Sequence, residues 1–466
     1  MKSTGSDGLL DAWGNTLGAR DRERRAAIFD TKGHVLRTFA QIEEEARDFE
    51  QTLLHEFRPG EVIAIQIGNH PAWPALFLAC LRSRLVALPL ERTMAERERD
   101  VALRICRARA IVDIKNERIA LRTLPYEAIE WGPNPPSLLK LTSGTTAAPR
   151  AIRFRSEQLL ADCTQICETM GITQHDLNFA VIPLSHSYGL SNLVTPLLSR
   201  GVPMVLSRDR MPRALLEDLA CTNATVFPGM PVFYQAFSEM EDVPALPKLR
   251  LCISAGAPLP LEVARKFRDK FKQPIHSFYG SSECGGICYD RDAPLLEQGF
   301  VGQPMRGLDL DLLEPGAAAT RVRIRSAAAG DGYFPEPDEE KLGHGRFIPD
   351  DVLSVSGDGL RIVGRISDVI NVAGKKVNPA EVEAELLQFA GVRAVVAFGR
   401  ESILRNEEVA ACVVAGEGVL ESDLLEYCRA RLSGWQVPKR IFFVDEIPVN
   451  ERGKVNRREL ASRFRS

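Results

Sequence analysis

Residues 141–150 read LTSGTTAAPR. Thr142, Ser143, Thr145 and Thr146 set hydroxyls around Gly144, and Pro149 and Arg150 close the run just before a helical pattern opens. Small side chains let backbone N–H groups approach an anion, hydroxyls add donors, and the arginine offsets charge, so the stretch suits phosphate oxygens. A Ser/Thr-rich surface turn accounts for the same residues, because hydroxyls also bond their own backbone in turns. Further stretches carry residues of complementary chemistry. Leu249 to Ser254 reads as a strand ending in Ala255, Gly256, Ala257 and Pro258, small residues at the carboxyl end of a strand, where α/β sheets present ligands. HSFYGSSECGG places Tyr279, Gly280, Ser281, Ser282 and Glu283 in a second strand-end loop. Asp351 lies in RFIPDDV, Arg365 follows Gly364 where the pattern changes, and Lys454 lies in the basic turn of NERGKVNRREL. Taken singly, Glu283 is a loop acid, Asp351 half of an acidic pair, and Lys454 one charge in a basic tail.

The elements that must position these residues can be read from periodicity. Residues 36 to 56 alternate helically up to Pro59-Gly60, and EVIAIQI from Glu61 to Ile67 is a β-branched buried strand. A helix from Ala72 to Leu81 and a strand from Leu85 to Leu90 complete a β-α-β unit, and the rhythm recurs through strands at Leu177 to Ile182, Met204 to Ser207, Ala224 to Phe227 and Leu249 to Ser254. This predicts an α/β fold with doubly wound sheets. Between about residues 300 and 364 short alternating strands take over, with Val322 and Ile324 on one face and Arg321, Arg323 and Arg325 on the other, as in a small β-barrel or antiparallel sheet. Beyond Arg365, Asn378-Pro379-Ala380-Glu381 opens a helix as a capping box, strands follow at 392 to 398 and 408 to 414, then a helix capped by Ser422 and a strand at 440 to 444. The expected division is a large domain over residues 1–364 and a small mobile α+β domain over residues 365–466, joined near Ser367.

Composition narrows the functional classes. With 466 residues the chain can bury substantial cores, and 59 basic against 62 acidic residues leave a net charge of -3, which supplies no field for a general polyanion partner. Nucleic acid is therefore not an expected ligand. The longest apolar run, Trp73 to Leu81, is broken by Pro74 and ends at Arg82, so no membrane span is expected. MKSTGSDGLLDAWG shows no basic region followed by an apolar core, and the expected location is cytoplasmic. The ten cysteines are scattered; Cys163 and Cys167 share a helical face with Leu159, Ile166 and Met170, while Cys284 and Cys288 flank glycines without a second ligand pair, so reduced structural thiols are expected.

The ordered set of motifs resembles the adenylate-forming superfamily of acyl-CoA synthetases, peptide-synthetase adenylation domains and beetle luciferases, and the resemblance covers essentially the whole chain. It implies a carboxylic acid ligase that uses ATP and Mg²⁺, forms an acyl-adenylate with release of pyrophosphate, and passes the acyl group to a thiol of CoA or phosphopantetheine. By the same resemblance Thr142, Ser143, Gly144, Thr145, Thr146 and Arg150 hold the phosphates, Gly256, Ala257 and Pro258 line the adenine, and Tyr279, Gly280, Ser282 and Glu283 form the next motif, with Glu283 at the metal. Asp351 is the implied ribose ligand, Arg365 the domain-junction arginine, Ser367 the hinge, Lys454 the catalytic lysine, Gly374 the thiol-tunnel glycine, and His186 in PLSHSYGL the substrate gate. The phosphate loop departs from the family pattern, having Ala147-Ala148-Pro149-Arg150 where Gly-x-Pro-Lys is usual; alanine resists positive φ, and arginine replaces a compact ammonium by a planar fork. No acidic residue stands at Ser185 to Ser187, where amino-acid-activating relatives bind an ammonium, so an amine-free acid is expected. Tyr188, Phe278 and Tyr234 are candidates to wall its aryl or fatty group, although aromatics at such spacing also build cores. Two alternatives to a CoA ligase stay open: a stand-alone enzyme loading an acyl carrier protein, and a nucleotide-binding homologue without catalysis.

Overall fold

The computed structural model describes residues 8–18, 25–142, 150–208, 211–292, 297–372, 375–402, 406–449 and 455–464. Ser143 to Thr146, Gly374 and Lys454 lie outside the described residues. The chain forms two compact units, one of residues 1–311 and 323–348, the other of residues 312–322 and 349–466.

In the first unit, β-branched and apolar runs too short and too buried for amphipathic helices become parallel strands, and the intervening 3.6-periodic stretches cover them. Strands Met204–Leu206, Asn178–Ala180, Val226–Gly229, Leu251–Ser254 and Ile275–Ser281 lie side by side and parallel. Gly285–Tyr289 and Phe300–Pro304 extend that row antiparallel. A second sheet runs Gly332–Phe334, Ala151–Phe154, Leu138–Leu141, Val86–Pro89, Val62–Ile65, Ala108–Lys115 and Arg118–Thr123; its middle is parallel and its ends are antiparallel hairpins. The Trp73–Arg82 helix is buried from Trp73 to Leu81, which suits a crossover helix covered on all sides. The mixed α/β class is as the sequence predicts. The β-rich stretch forms a four-stranded antiparallel sheet, Leu308–Leu312, Val322–Ser326, Arg346–Phe347 and Leu342–Gly343, with Val322 and Ile324 fully buried.

Asn69, just past the Val62–Ile65 strand, stitches the two sheets together. Its amide donates to the carbonyls of Ala180 at 3.2 Å and Ile182 at 3.3 Å, and its oxygen accepts from the Leu184 N–H at 2.9 Å. These bonds fix the loop that carries His186.

The second unit begins with the hairpin Asp351–Ser356 and Gly359–Arg365, followed by a 3₁₀ turn at Ile366–Asp368. Strands Lys375–Val377, Ile370–Val372, Asn406–Ala415 and Val392–Ser402 form a sheet in that order, and Arg440–Phe443 pairs parallel with Asn406–Ala415. The Pro379–Leu386 and Glu421–Arg431 helices cover one face over Ile370, Val382, Leu386, Val413 and Leu424, while the Arg457–Arg463 helix covers the other over Phe398 and Cys412. Asn378 caps the first of these helices, accepting from the Ala380 N–H at 3.2 Å, with Pro379 at its first position, but the expected capping box does not form, because the Glu381 carboxylate accepts from the Gln436 amide at 2.7 Å instead of reaching back to the cap. Ser422 does not cap the second. That helix starts at Glu421 with Leu420 as N-cap, and the Ser422 hydroxyl bonds Asp423 instead.

Candidate nucleotide site

The hydroxyl-rich loop is the connection of an antiparallel hairpin. Leu141 pairs with Ala151, and Thr142 closes the mouth twice, its N–H and its hydroxyl both donating to the Arg150 carbonyl at 2.8 and 3.0 Å. Both ends of the loop are therefore fixed, and Arg150 is delivered at its exit. The arginine's guanidinium carbon lies 4.3 Å from the centroid of the Tyr333 ring. A cation over an aromatic face is held by the ring quadrupole, which orients the fork without neutralising it.

Tyr333 connects this arginine to Glu283. The Gly332–Phe334 strand pairs with Ala151–Phe154, Tyr333 facing Ile152, and the tyrosine hydroxyl donates to Glu283 Oε1 at 3.1 Å. Burial, reinforced by the Glu283 charge, pushes the Tyr333 phenol far above its ordinary value, so it stays a donor. The segment before Tyr333 is clamped as well: the Gly330 N–H donates to the Glu283 carbonyl at 2.9 Å, and Asp331 accepts from the Arg155 fork at 2.8 and 3.1 Å. Tyr333 was not among the residues singled out from sequence, because its role arises from strand pairing across a long separation.

Of the expected strand-end loop, Ser282 and Glu283 lie in a connection, but Tyr279 to Ser281 do not. Tyr279, Gly280 and Ser281 are the end of the Ile275–Ser281 strand, which turns at Ser282 to Cys284 and returns as Gly285–Tyr289. The difference arises because the glycines permit a tight hairpin: Gly285 has φ +70°, and a Cβ there would lie 2.0 Å from Asp162 Oδ1. The Ser281 hydroxyl accepts from the Cys284 N–H at 3.2 Å and closes the turn, leaving Glu283 half-buried at its tip. Burial pushes the Cys284 thiol up to about 12, as befits a structural cysteine.

The neighbouring loops converge on this hairpin. Ser254 pairs with Ser277, so Gly256, Ala257 and Pro258 leave the sheet beside the strand that carries Tyr279. Ser187 donates to Ser282 at 3.0 Å and thereby joins the His186 loop to the Glu283 turn. His186 itself is an N-cap, its Nδ1 accepting from the Tyr188 N–H at 3.2 Å. Tyr188 and Phe278 pack with ring centroids 5.9 Å apart. Tyr234 is fully buried, edge-on to Phe227 and Phe267, and spends its hydroxyl on the carbonyls of Phe227 and Ile253, which is how a core tyrosine behaves.

Within the second unit, Asp351 faces Arg365 across its hairpin, and their side chains pair at 3.5 Å. Asn378 donates to the Val363 carbonyl at 2.9 Å, and a Cβ on Gly364 would lie 2.6 Å from that amide, so the helix cap seals the end of the strand. Arg457 pairs with both Asp368 and Glu383 at 2.7 Å, tying the 3₁₀ turn that contains Ser367 to the C-terminal helix.

Known proteins resemble this chain over nearly its whole length. It is 27% identical to a probable CoA ligase of Humulus lupulus, over 95% of this chain and 94% of the other. It is 28% identical to a feruloyl-CoA synthase of Amycolatopsis, over 87% and 89%. The o-succinylbenzoate CoA synthetase of Bacillus subtilis, solved with its acyl-adenylate intermediate, superimposes with a TM-score of 0.81 at 21% identity, covering 96% and 97%. The family model described as AMP-binding enzyme matches residues 16–322, and that of the AMP-binding enzyme C-terminal domain matches residues 381–454. The first match takes in the hydroxyl-rich hairpin and the Glu283 turn and the second lies in the small C-terminal α+β unit, so the chain belongs to the AMP-binding enzyme family.

Proposed function

We propose that this chain is an AMP-forming carboxylic acid ligase acting on an amine-free aryl or fatty acid, with CoA as the acyl acceptor. The observation that carries the reading is the connected row Arg150, Tyr333, Glu283 at the exit of the hydroxyl-rich hairpin. It presents a cation and a carboxylate, both held by Tyr333 of the Gly332–Phe334 strand, to whatever the loop cradles. A nucleoside triphosphate with its metal needs both signs.

In the first half-reaction the acid's carboxylate oxygen attacks the α-phosphorus of ATP and pyrophosphate leaves. In the second the thiol sulfur attacks the acyl carbon, AMP leaves, and the thiol proton goes to solvent. The first step brings anions together, so preorganised positive charge is the main requirement. Arg150, braced on Tyr333, supplies it at the phosphates, and Lys454 supplies it at the attacked phosphate. Thr142 closes the loop that positions them. Asp351, held by Arg365, is the ribose ligand.

Among the described residues no three or more His, Cys, Asp and Glu side chains gather as a metal site. One hydrogen-bonded carboxylate fits Mg²⁺, which takes most of its ligands from phosphate and water. Glu283 would hold it, and the bound ion would neutralise charge on the departing pyrophosphate. His186 and the Tyr188–Phe278 pair border the acid's place, and the lack of an acidic side chain at Ser185 to Ser187 disfavours an amino acid.

The two half-reactions need different groups at one acyl carbon. A rotation of the C-terminal part about Ser367 would serve them in turn, with Lys454 facing the site for adenylation and Gly374 lining the thiol path for thioester formation. The acceptor is tested by supplying CoA and, separately, a phosphopantetheinylated carrier protein. Thioester formed on CoA supports the reading; thioester only on the carrier would replace it by a carrier-loading enzyme, and ATP binding without any product would mean a homologue that has lost catalysis.

A further inference from the structure

The Ser156–Met170 helix carries a polar stripe that is buried. Gln158, Asp162, Gln165 and Thr169 recur at helical spacing on one face, and all four are buried. A buried polar group costs stability unless it is hydrogen-bonded, so such a stripe needs partners from other elements. Each member holds a segment from elsewhere in the chain. The Gln158 amide donates to Asp331 at 2.7 Å, Asp162 accepts from the Gly286 N–H at 3.0 Å, the Gln165 amide donates to the Gly307 carbonyl at 3.1 Å, and the Thr169 hydroxyl accepts from the Arg306 N–H at 3.1 Å.

Asp162 joins two parts of the candidate site. One oxygen holds Gly286, where the chain returns from the Glu283 turn, and the other accepts from the Ser191 hydroxyl at 2.5 Å. Ser191 lies in Leu190–Val194, a single π turn between the short helices Ser187–Gly189 and Thr195–Arg200. The Thr195 hydroxyl supports this irregular turn by donating to the carbonyls of Leu190 at 3.2 Å and Ser191 at 3.1 Å. A Cβ on Gly189 would lie 2.0 Å from the Pro183 carbonyl oxygen, so the turn is also seated closely on the loop before His186. The stretch from His186 to Val194 thus meets the Glu283 hairpin twice. Ser187 bonds Ser282 just before Glu283, and Ser191 reaches Gly286 just after it through Asp162.

We propose that these two links clamp the His186 segment to the Glu283 turn, so that MgATP held at Glu283 also orders the segment beside which the acid binds. Ser187, Ser191 and Asp162 are positioning residues. They act through the hairpin and the turn rather than by touching reacting atoms. The consequence is coupling between the two substrates. A ligand that orders a shared segment lowers the ordering cost left to the next, and reciprocity makes the acid tighten ATP by the same factor. The inference rests on the nucleotide reading given above.

The test is amide hydrogen exchange of the full chain with and without MgATP, read in peptides spanning Gly280 to Cys288 and Leu190 to Leu197. Wild type is compared with Ser187→Ala, Ser191→Ala and the double variant. Both links leave the His186 segment as serine hydroxyls, so the double variant frees that segment while Asp162 still bonds Gly286. In wild type MgATP slows exchange at least about fivefold in both peptides, the lower end of ordinary coupling between sites. In the double variant the Glu283 peptide keeps its slowing, and that of the Leu190 peptide falls below about twofold. A merely structural role speeds exchange with and without nucleotide alike and leaves the MgATP ratio unchanged. An unchanged ratio at the Leu190 peptide in the double variant, or slowing in wild type confined to the Glu283 peptide, would overturn the proposal. Should the double variant fail to fold, Ser187→Ala alone decides it: slowing at the Leu190 peptide reduced at least about twofold upholds the clamp, and unchanged slowing refutes it. A wild-type chain in which MgATP slows neither peptide would instead remove the nucleotide reading itself.

Discussion

Tyr333→Phe removes one hydroxyl, with the hydrogen bond it donates, from the centre of the candidate site and leaves the ring in place. The hydroxyl donates to Glu283 Oε1 at 3.1 Å, and the ring supports Arg150 at 4.3 Å. A hydrogen bond to a charged group is worth about 1.5–3 kcal/mol. Because Glu283 is half-buried, water can take the place of the lost donor, and the lower end of that range applies. About 1.4 kcal/mol corresponds to about tenfold, so kcat/KM for ATP is expected to fall about tenfold while the Arg150 stacking survives. Tyr333→Ala loses the ring as well; truncating a large buried aromatic costs about 3–5 kcal/mol of stability, so that variant should unfold at visibly lower temperature. The assay is acid-dependent ATP–pyrophosphate exchange at varied ATP, with thermal unfolding as the fold control. If the Phe variant keeps wild-type kcat/KM within about twofold, the Tyr333–Glu283 bond contributes no more than about 0.4 kcal/mol and the connected row is not how the site is organised.

Arg150→Lys keeps the charge but loses the planar stack on Tyr333, so it should retain appreciable exchange with a raised KM for ATP, whereas Arg150→Ala should lose most activity; equal activity of the Ala variant and wild type would take Arg150 out of the site. Glu283→Gln should fold normally and lower exchange by at least about tenfold, with the loss only partly recovered at high Mg²⁺. Lys454→Ala should abolish adenylation yet still convert supplied acyl-adenylate to thioester, and Gly374→Leu should do the reverse; impairment of the same half-reaction by both would argue for a static C-terminal lid. Asp176 offers a test of stability alone. Burial raises its pKa, but the Arg250 fork at 2.7 Å, the Thr173 N–H and the Thr225 hydroxyl outweigh burial and lower it overall. A lowered carboxylate pKa means stabilisation that is complete above the unfolded value near about 4 and is lost as pH falls towards the folded value. Asp176→Asn should therefore lower Tm at neutral pH and flatten the acid limb of the Tm–pH curve, and an unchanged acid limb would contradict the assignment.

The candidate site positions are legible as residue types in order, since a hydroxyl-rich loop, a small-residue strand end and a glutamate between glycines each report a local requirement. Geometry joining distant segments is not. Tyr333 reads as one more aromatic in GDGYFPEP, and only the antiparallel pairing of Gly332–Phe334 with Ala151–Phe154 brings it under Arg150 and onto Glu283. Tyr279 to Ser281 lie in a strand because glycine at 285 lets the partner strand return immediately, and a count of turn-forming residues does not distinguish that hairpin from a loop. Ser422 looked like a cap by residue type, yet the helix begins a residue earlier and its hydroxyl serves Asp423. The pattern change in the sequence puts the start of a compact unit after Arg365, whereas the structure groups the Asp351–Arg365 hairpin with that unit, and Asn378 bonds the end of the hairpin to the helix that follows.

The most direct measurement is ATP–pyrophosphate exchange across a panel of aryl, short-chain, medium-chain and long-chain carboxylic acids, with amino acids included, using wild-type protein and Mg²⁺. Adenylation of an amine-free acid predicts label exchange that depends on the acid, is strongest for one class, and is absent with amino acids. Exchange supported only by amino acids, or binding of ATP with no exchange under any acid, would contradict the account.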